Sequence, residues 1–210
     1  LFFAICPGNC DSLVNNYTAA KKRRSSDVYS PGGSIRRPDR AATVYSDRVH
    51  SLFPGVPLVL GGIEASLRRF AHYDYWSDAV RHSILADAPA DLLVYGMGES
   101  QVREISRRLD AGEAAASLTD IRGTVFRVPP SRYQGSCAFP LLEIPSFSEV
   151  EKDRVAYARA FAMHYREQNP FMGKAVAQRH PKTVIIQNPP ALPLSTPELD
   201  AVYELPYSRK

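Results

Sequence analysis

The sequence predicts an α/β fold, a mostly parallel sheet flanked by helices with a helical and extended carboxyl-terminal extension. Three observations carry that expectation. Short apolar runs, at Leu1 to Ile5, Leu58 to Leu60 and Asp91 to Tyr95, are each closed by a glycine-containing turn. Stretches with apolar residues at helical spacing separate these runs. The connections are short, as in right-handed βαβ units, which gives a Rossmann-like arrangement. Residues 1–130 read as that domain, 131–197 as a helix–strand extension of it, and 198–210 as the start of a linker.

In chain order, the first strand stops at Pro7-Gly8, and Asp11 or Ser12 can cap a helix through Leu13, Val14 and Tyr17. Asn9, Asp11, Asn15 and Thr18 then gather near a strand's carboxyl end, as caps and turn formers or as ligand contacts. Lys21 to Asp39 holds a basic run, Pro31-Gly32-Gly33 and Pro38, and reads as an irregular loop. Asp39 can cap a helix through Ala42, Tyr45, Val49 and Leu52 that stops at Pro54-Gly55. Leu58 to Leu60 suits a strand buried on both faces and ended by Gly61-Gly62. The segment after it is expected to run into a helix through Val80, Ile84 and Leu85, broken at Pro89.

Asp91 to Tyr95 is closed by Gly96-Met97-Gly98-Glu99, and Val102, Ile105 and Leu109 mark an amphipathic helix with Gly112 past its end. Thr124 to Val128 is a further strand. Val150, Val155, Ala158, Ala162 and Tyr165 predict one long helix over residues 147–168, with Ser148 as cap and Pro170 as stop. Thr183 to Gln187 is β-branched and strand-like, the proline-rich run after it extended, and a short helix is expected near Leu199 to Tyr203.

A formal net charge of +4 is mild, and Lys21-Lys22-Arg23-Arg24 is too short a cluster to indicate nucleic acid, though it leaves RNA contact open. No apolar run reaches membrane-spanning length and Leu1 to Ile5 lacks the charged flank of a signal peptide, so no membrane partner and a cytoplasmic location are expected. Three cysteines are too few for a disulfide framework. Cys6 and Cys10 suggest two metal ligands, but Cys137 is distant and the pair reads as incidental, so no metal site is expected here.

The most informative stretch is Pro57 to Arg81. Behind Gly61-Gly62 come Glu64, Ser66, Arg68, Arg69, His72, Tyr73, Asp74, Trp76, Asp78 and Arg81, more polar groups than packing needs. Arg68 and Arg69 can fork onto a carboxylate or phosphate, Glu64 and Asp74 can pair with them or with His72, and Trp76 with Tyr73 can cover a planar group. With Gly96, Gly98 and Glu99 at the next turn, and Asn9, Asp11 and Asn15 at the first, they are the candidate substrate or interface residues. The same residues also fit a solvated helix face with internal ion pairs and aromatic packing. The turn matches neither a dinucleotide fingerprint nor a phosphate loop. His72 and His164 have no serine or cysteine on a nucleophile elbow to serve, so catalytic residues are not assigned.

The run Gly61-Gly-Ile-Glu-Ala-Ser-Leu-Arg-Arg69 with Ala71-His-Tyr-Asp-Tyr-Trp-Ser-Asp78 resembles the amino-terminal region of the YgiQ-type radical SAM proteins, the UPF0313 family. Further similar pieces follow in order: Gly8-Asn-Cys-Asp-Ser12, Asn15-Asn-Tyr-Thr-Ala19, Tyr29-Ser-Pro-Gly-Gly33, Arg37-Pro-Asp-Arg40, Leu93 to Glu99, Asp120 to Thr124, Gln187-Asn-Pro-Pro190 and Leu205-Pro-Tyr207. The resemblance implies a [4Fe-4S] cluster and S-adenosylmethionine for the full-length protein. The CxxxCxxC triplet that holds such a cluster is absent here. The chain is therefore expected to be a piece of a longer protein that ends before the radical SAM barrel, its partner in the same chain, with the small-molecule substrate unspecified. By itself the piece is expected to be inactive and to hold no cofactor. A cobalamin-binding-like domain fits the resemblance in shape, but the DxHxxG loop is missing and cobalamin is not expected. The alternative is a stand-alone module binding a nucleotide or anion at the glycine turns.

Overall fold

The computed structural model describes residues 1–27 and 29–208. Its centre is a seven-stranded sheet in the order β1-β2-β5-β6-β9-β8-β7. The strands are β1 (Phe3–Ile5), β2 (Leu58–Leu60), β5 (Leu92–Val94), β6 (Thr124–Val128), β7 (Leu141–Glu143), β8 (Ala175–Arg179) and β9 (Val184–Gln187). Apart from the sheet, β3 (His72–Asp74) and β4 (Ala79–Arg81) pair as an antiparallel hairpin. The helices are α1 (Ser12–Asn16), α2 (Ala41–Leu52), α3 (Gly62–Leu67), α4 (Ile84–Asp87), α5 (Glu99–Asp110), α6 (Phe147–Lys152), α7 (Arg154–Arg166) and α8 (Thr196–Tyr203).

The α/β fold expected from the sequence is present, and β1, β2 and β5 are parallel. β6 runs against β5 because α5 returns along the sheet and the 13 residues after it, 111–123, travel back again. β6 therefore starts at the edge where β5 ends, with Tyr95 N–H donating to Gly123 O. β9 pairs antiparallel with β6 and so points the same way as β1, β2 and β5, while β8 and β7 run the other way.

Strand alternation divides the core. Leu58, Leu60, Leu93, Val125, Val176 and Ile185 pack on one face with α2, α3, α6 and α7. Val59, Leu92, Val94, Phe126 and Ile186 face Ile105 of α5, Leu118 and Ile121 on the other. Both faces are covered, so the strands read as continuous apolar runs, and β2 and β5 are buried at every position.

Four expectations need correction. Residues 72–81 form the hairpin, not the start of a helix: Asp74 Oδ1 accepts Trp76 N–H at 3.0 Å and Asp78 takes a left-handed φ of +50°. Short polar side chains of this type make Asx turns and tolerate that conformation, so local turn chemistry prevails over the spacing of Val80 and Ile84. The single helix over 147–168 is two helices. Asp153 is extended and its side chain caps α7 by accepting Val155 N–H at 2.8 Å, which shifts the phase. Ala156, Tyr157, Ala160 and Met163 then face the core, and Val155 and Tyr165 lie exposed. α6 is capped by Ser146 with Glu149 rather than by Ser148. Asp39 does not cap α2; Oδ1 accepts from Asn16 Nδ2 at 2.8 Å and Oδ2 from the Tyr17 hydroxyl at 2.9 Å. Strands β7 and β8 have no counterpart among the expected elements.

Candidate functional site

The carboxyl ends of β1, β2, β5 and β9 share one edge with the start of β6, and the motif residues collect at and beside it. The centre is Glu64, 1% exposed. One carboxylate oxygen accepts Ala42 N–H in the first turn of α2 at 3.0 Å. The other accepts Ser12 N–H, which opens α1, at 3.0 Å, together with the Ser12 hydroxyl. A single buried carboxylate thus supplies acceptors to the first turns of two helices, where backbone N–H groups have no intrahelical partner. Arg37 extends the network: Nε donates to Ser12 Oγ at 3.0 Å, and Nη2 to Cys10 O at 2.7 Å and to Pro7 O. Glu64 pairs with neither arginine nor with His72. Arg68 instead bonds Asp11, the side-chain cap of α1, in a pair that is 15% and 10% exposed.

Asp74 belongs to the hairpin, accepting from Trp76 N–H, from Ser77 Oγ at 2.9 Å and from Arg40 at 2.5 Å. The hairpin turn leans on the loop after α1. The Trp76 and Tyr17 rings lie 4.2 Å apart, Tyr75 donates to Ala19 O at 2.7 Å, and Lys21 Nζ sits 4.8 Å from the Tyr75 ring centre. Between hairpin and α1 is a cleft of about 580 Å³, walled by Asp11, Tyr17, Arg68, His72, Tyr73 and Trp76 among others. Tyr73 donates to Asp78 at 2.5 Å across the hairpin mouth, a bond to a carboxylate that raises the phenol's pKa.

His72 lines this cleft and an adjoining one of about 550 Å³ that also holds Arg40, Arg81 and Asp87. Arg81 lies 3.8 Å from Asp87. Burial depresses the His72 imidazole to about 4, and the Arg68 and Arg81 charges act in the same direction. The ring is therefore neutral near pH 7. With Nδ1 3.1 Å from Phe70 O the proton sits on Nδ1, which leaves the Nε2 lone pair as an acceptor.

Arg69 turns the other way, into the sheet edge. Nε donates to Gln187 Oε1 at the end of β9 at 2.6 Å, Nη2 lies 3.0 Å from His164 Nε2 on α7, Nη1 donates to Ser66 O, and the guanidinium covers the Tyr95 ring at 4.9 Å. It meets no carboxylate within 4 Å among the described residues, and burial lowers its pKa. Burial also lowers His164 to about 4, and Arg69 beside it adds to the shift. Arg69 thus ties α3, β9 and α7 together and is not presented to the cleft.

The glycine turn is equally committed to packing. Gly62 has φ +81°, and a Cβ there would lie 2.7 Å from Cys6 Sγ and 3.2 Å from Gly8 O, so the turn after β1 packs closely against it and only glycine fits. Gly61 and Ser66 are half-buried beside it, and Gly96, Gly98 and Glu99 open α5 on the next turn. Asn15 donates to Asp27 at 3.1 Å, whereas Asn9 is exposed. The structure therefore brings Asp11, Arg68, His72, Tyr73, Asp74 and Trp76 into one cleft and leaves Arg69, Asn9, Gly96, Gly98 and Glu99 outside it.

Arg37, Asp39, Tyr157 and Gln187 are not among the candidate site residues of the sequence, although Arg37, Asp39 and Gln187 lie in the motif pieces. Tyr157 accepts Tyr73 N–H at 3.0 Å from 84 positions away, and no local pattern announces such a partner. Cys6 Sγ packs on Gly62 and Cys137 Sγ donates to Phe139 O at 3.3 Å. Among the described residues no group of three His, Cys, Asp or Glu side chains is placed to hold a metal ion, so these cysteines do not fit a [4Fe-4S] cluster.

Comparison with known proteins bears on what this site serves. A family described as Radical SAM N-terminal matches residues 1–210. A UPF0313 protein of Methanocella arvoryzae is 54% identical over all of the chain, which covers 34% of that relative. UPF0313 proteins of Methanosarcina acetivorans and Clostridium botulinum are 51% and 48% identical over 99% of the chain and are covered to 31% and 32%. The chain thus spans about a third of the length of these curated relatives. No solved structure matches. With its Glu64 network, hairpin and cleft, the chain belongs to the radical SAM N-terminal family.

Proposed function

We propose that this chain is the amino-terminal accessory domain of a radical SAM iron–sulfur protein, and that the cleft between hairpin and α1 helps form the substrate pocket or the interface with the catalytic barrel. The observation that carries this reading is the gathering of Asp11, Arg68, His72, Tyr73 and Trp76 around one open cleft of about 580 Å³, within the size range of small-molecule sites. Neutral His72 offers an acceptor there, and exposed Tyr73 and Tyr75 offer aromatic faces to a planar group or a neighbouring domain. On this reading the cluster and S-adenosylmethionine are held by the portion of the relatives that the chain does not span, in a cytoplasmic protein acting on a small molecule. The competing anion-binding module would use the amides of the glycine turns, and the Gly61 N–H is already taken by Ile5 O at 2.9 Å.

Anaerobic expression of the full reading frame, with iron counting and an assay for reductive S-adenosylmethionine cleavage, tests the reading. About four irons per chain and cleavage of the cofactor are expected for one [4Fe-4S] cluster. A complete protein that binds no iron overturns it.

A further inference from the structure

We propose that the opposite edge of the sheet carries a second small-molecule site, a pocket between His82, Arg127, His180 and Lys182 that binds a compact oxyanion, the phosphate or carboxylate group of a small polar molecule. The pocket lies where β6 and β8 end and β9 begins, and it has a volume of about 530 Å³.

The main observation is His180. It is 6% exposed, lines the pocket, and neither ring nitrogen has a hydrogen-bond partner among the described residues. Two buried ring nitrogens without partners are costly and call for a ligand or ordered water. The ring is fixed, not loose: it stacks on Phe147 at 5.5 Å and 25°, Phe147 in turn lies 3.9 Å from the His82 ring, and the His180 backbone N–H donates to Thr183 O at 2.8 Å. Burial, then the neighbouring His82 and His72, hold it near 4, so at neutral pH the buried ring carries one N–H and one lone pair.

Charge selects the ligand class. Arg127 Nη1 is anchored on Leu85 O at 2.9 Å, yet neither Arg127 nor Lys182 meets a carboxylate within 4 Å among the described residues. Asp87, the acidic residue in the wall, is directed to Arg81 at 3.8 Å and His82 at 3.6 Å. Two unpaired cations beside a neutral imidazole favour an oxyanion. Ala86, Pro129 and Pro181 give the rest of the wall an apolar character suited to a ligand larger than a bare ion.

The test follows the ring signals of ¹³C-histidine in the protein from its full reading frame, titrated with inorganic phosphate, with acetate, and with chloride at matched ionic strength. The expected result is a saturable shift of the His180 signals by phosphate or acetate but not chloride, with the His180 titration midpoint moving upward. Lys182→Glu, an exposed change that leaves the core intact, is expected to weaken binding about tenfold, in line with loss of a charge-assisted contact. The better of the two probes identifies the group as phosphate or carboxylate. Signals that move for neither anion, that move equally with chloride, or that respond identically in Lys182→Glu overturn the site.

Discussion

Glu64→Leu is expected to destabilise the protein by about 3–5 kcal/mol, the largest effect of any single substitution in the motif. The leucine side chain has similar bulk but no acceptor, so Ser12 N–H, the Ser12 hydroxyl and Ala42 N–H lose their partner in a site where Glu64 is 1% exposed. Each buried donor without an acceptor costs about 1–3 kcal/mol. Loss of the Ser12 contact also loosens Arg37, which bridges to Pro7 O and Cys10 O and so holds the turn beneath Gly62. Glu64→Gln keeps one acceptor but turns an NH₂ toward donors, and is expected to fall between leucine and wild type. Urea unfolding checks both. A leucine variant within about 0.5 kcal/mol of wild type, the range of ordinary surface changes, would mean that the carboxylate does not tie the helices together.

Acid is the second large lever. His72, His164 and His180 are each held near 4 in the folded protein, chiefly by burial, against an ordinary value of 6.5. Between those values the unfolded chain binds protons that the folded chain does not, so stability falls as pH falls. The contribution is fully present above pH 6.5 and is lost progressively toward pH 4. Each group contributes about 3 kcal/mol at most, and together they rival the 5–15 kcal/mol stability usual for a domain. Unfolding free energy measured from about pH 7.5 down to about pH 4.5 is expected to drop with an uptake approaching three protons. A flat profile over that range would show that these imidazoles are not buried neutral. His72 bonds the Phe70 carbonyl and His164 packs edge-on against the Phe70 ring, so the same acid step is expected to loosen both the cleft wall and the Arg69 junction.

The parts of the fold legible in the sequence are those whose signal is local. Leu58 to Leu60 before Gly61, the capped turn at Asp11, and α5 with Gly112 past its end all announce themselves within a few residues. The hairpin was legible too, in Asp74, Ser77 and Asp78, but a helical reading of Val80, Ile84 and Leu85 masks it. The reversal of β6 depends on the path of residues 111–123, which periodicity does not encode. Strand β8 ends in Gln178 and Arg179, and Gln178 is buried because its amide spans Ala71 N–H and Pro145 O, two distant partners. The candidate site divides the same way. The motif supplied Arg68, His72, Asp74 and Trp76, whereas which carboxylate serves which arginine was set by contacts such as Asp11 with Arg68, 57 positions apart.

The measurement that bears most directly on the central claim is photo-crosslinking from the cleft rim. A benzophenone side chain placed at Tyr75, which is 55% exposed on the hairpin, is irradiated in the protein from the full reading frame, and the linked peptides are identified by mass spectrometry. A domain that presents its hairpin cleft to the catalytic barrel gives intramolecular links from position 75 to peptides beyond residue 210. Links confined to residues 1–210, with none to the remainder of the same chain, contradict the account and leave the cleft facing solvent.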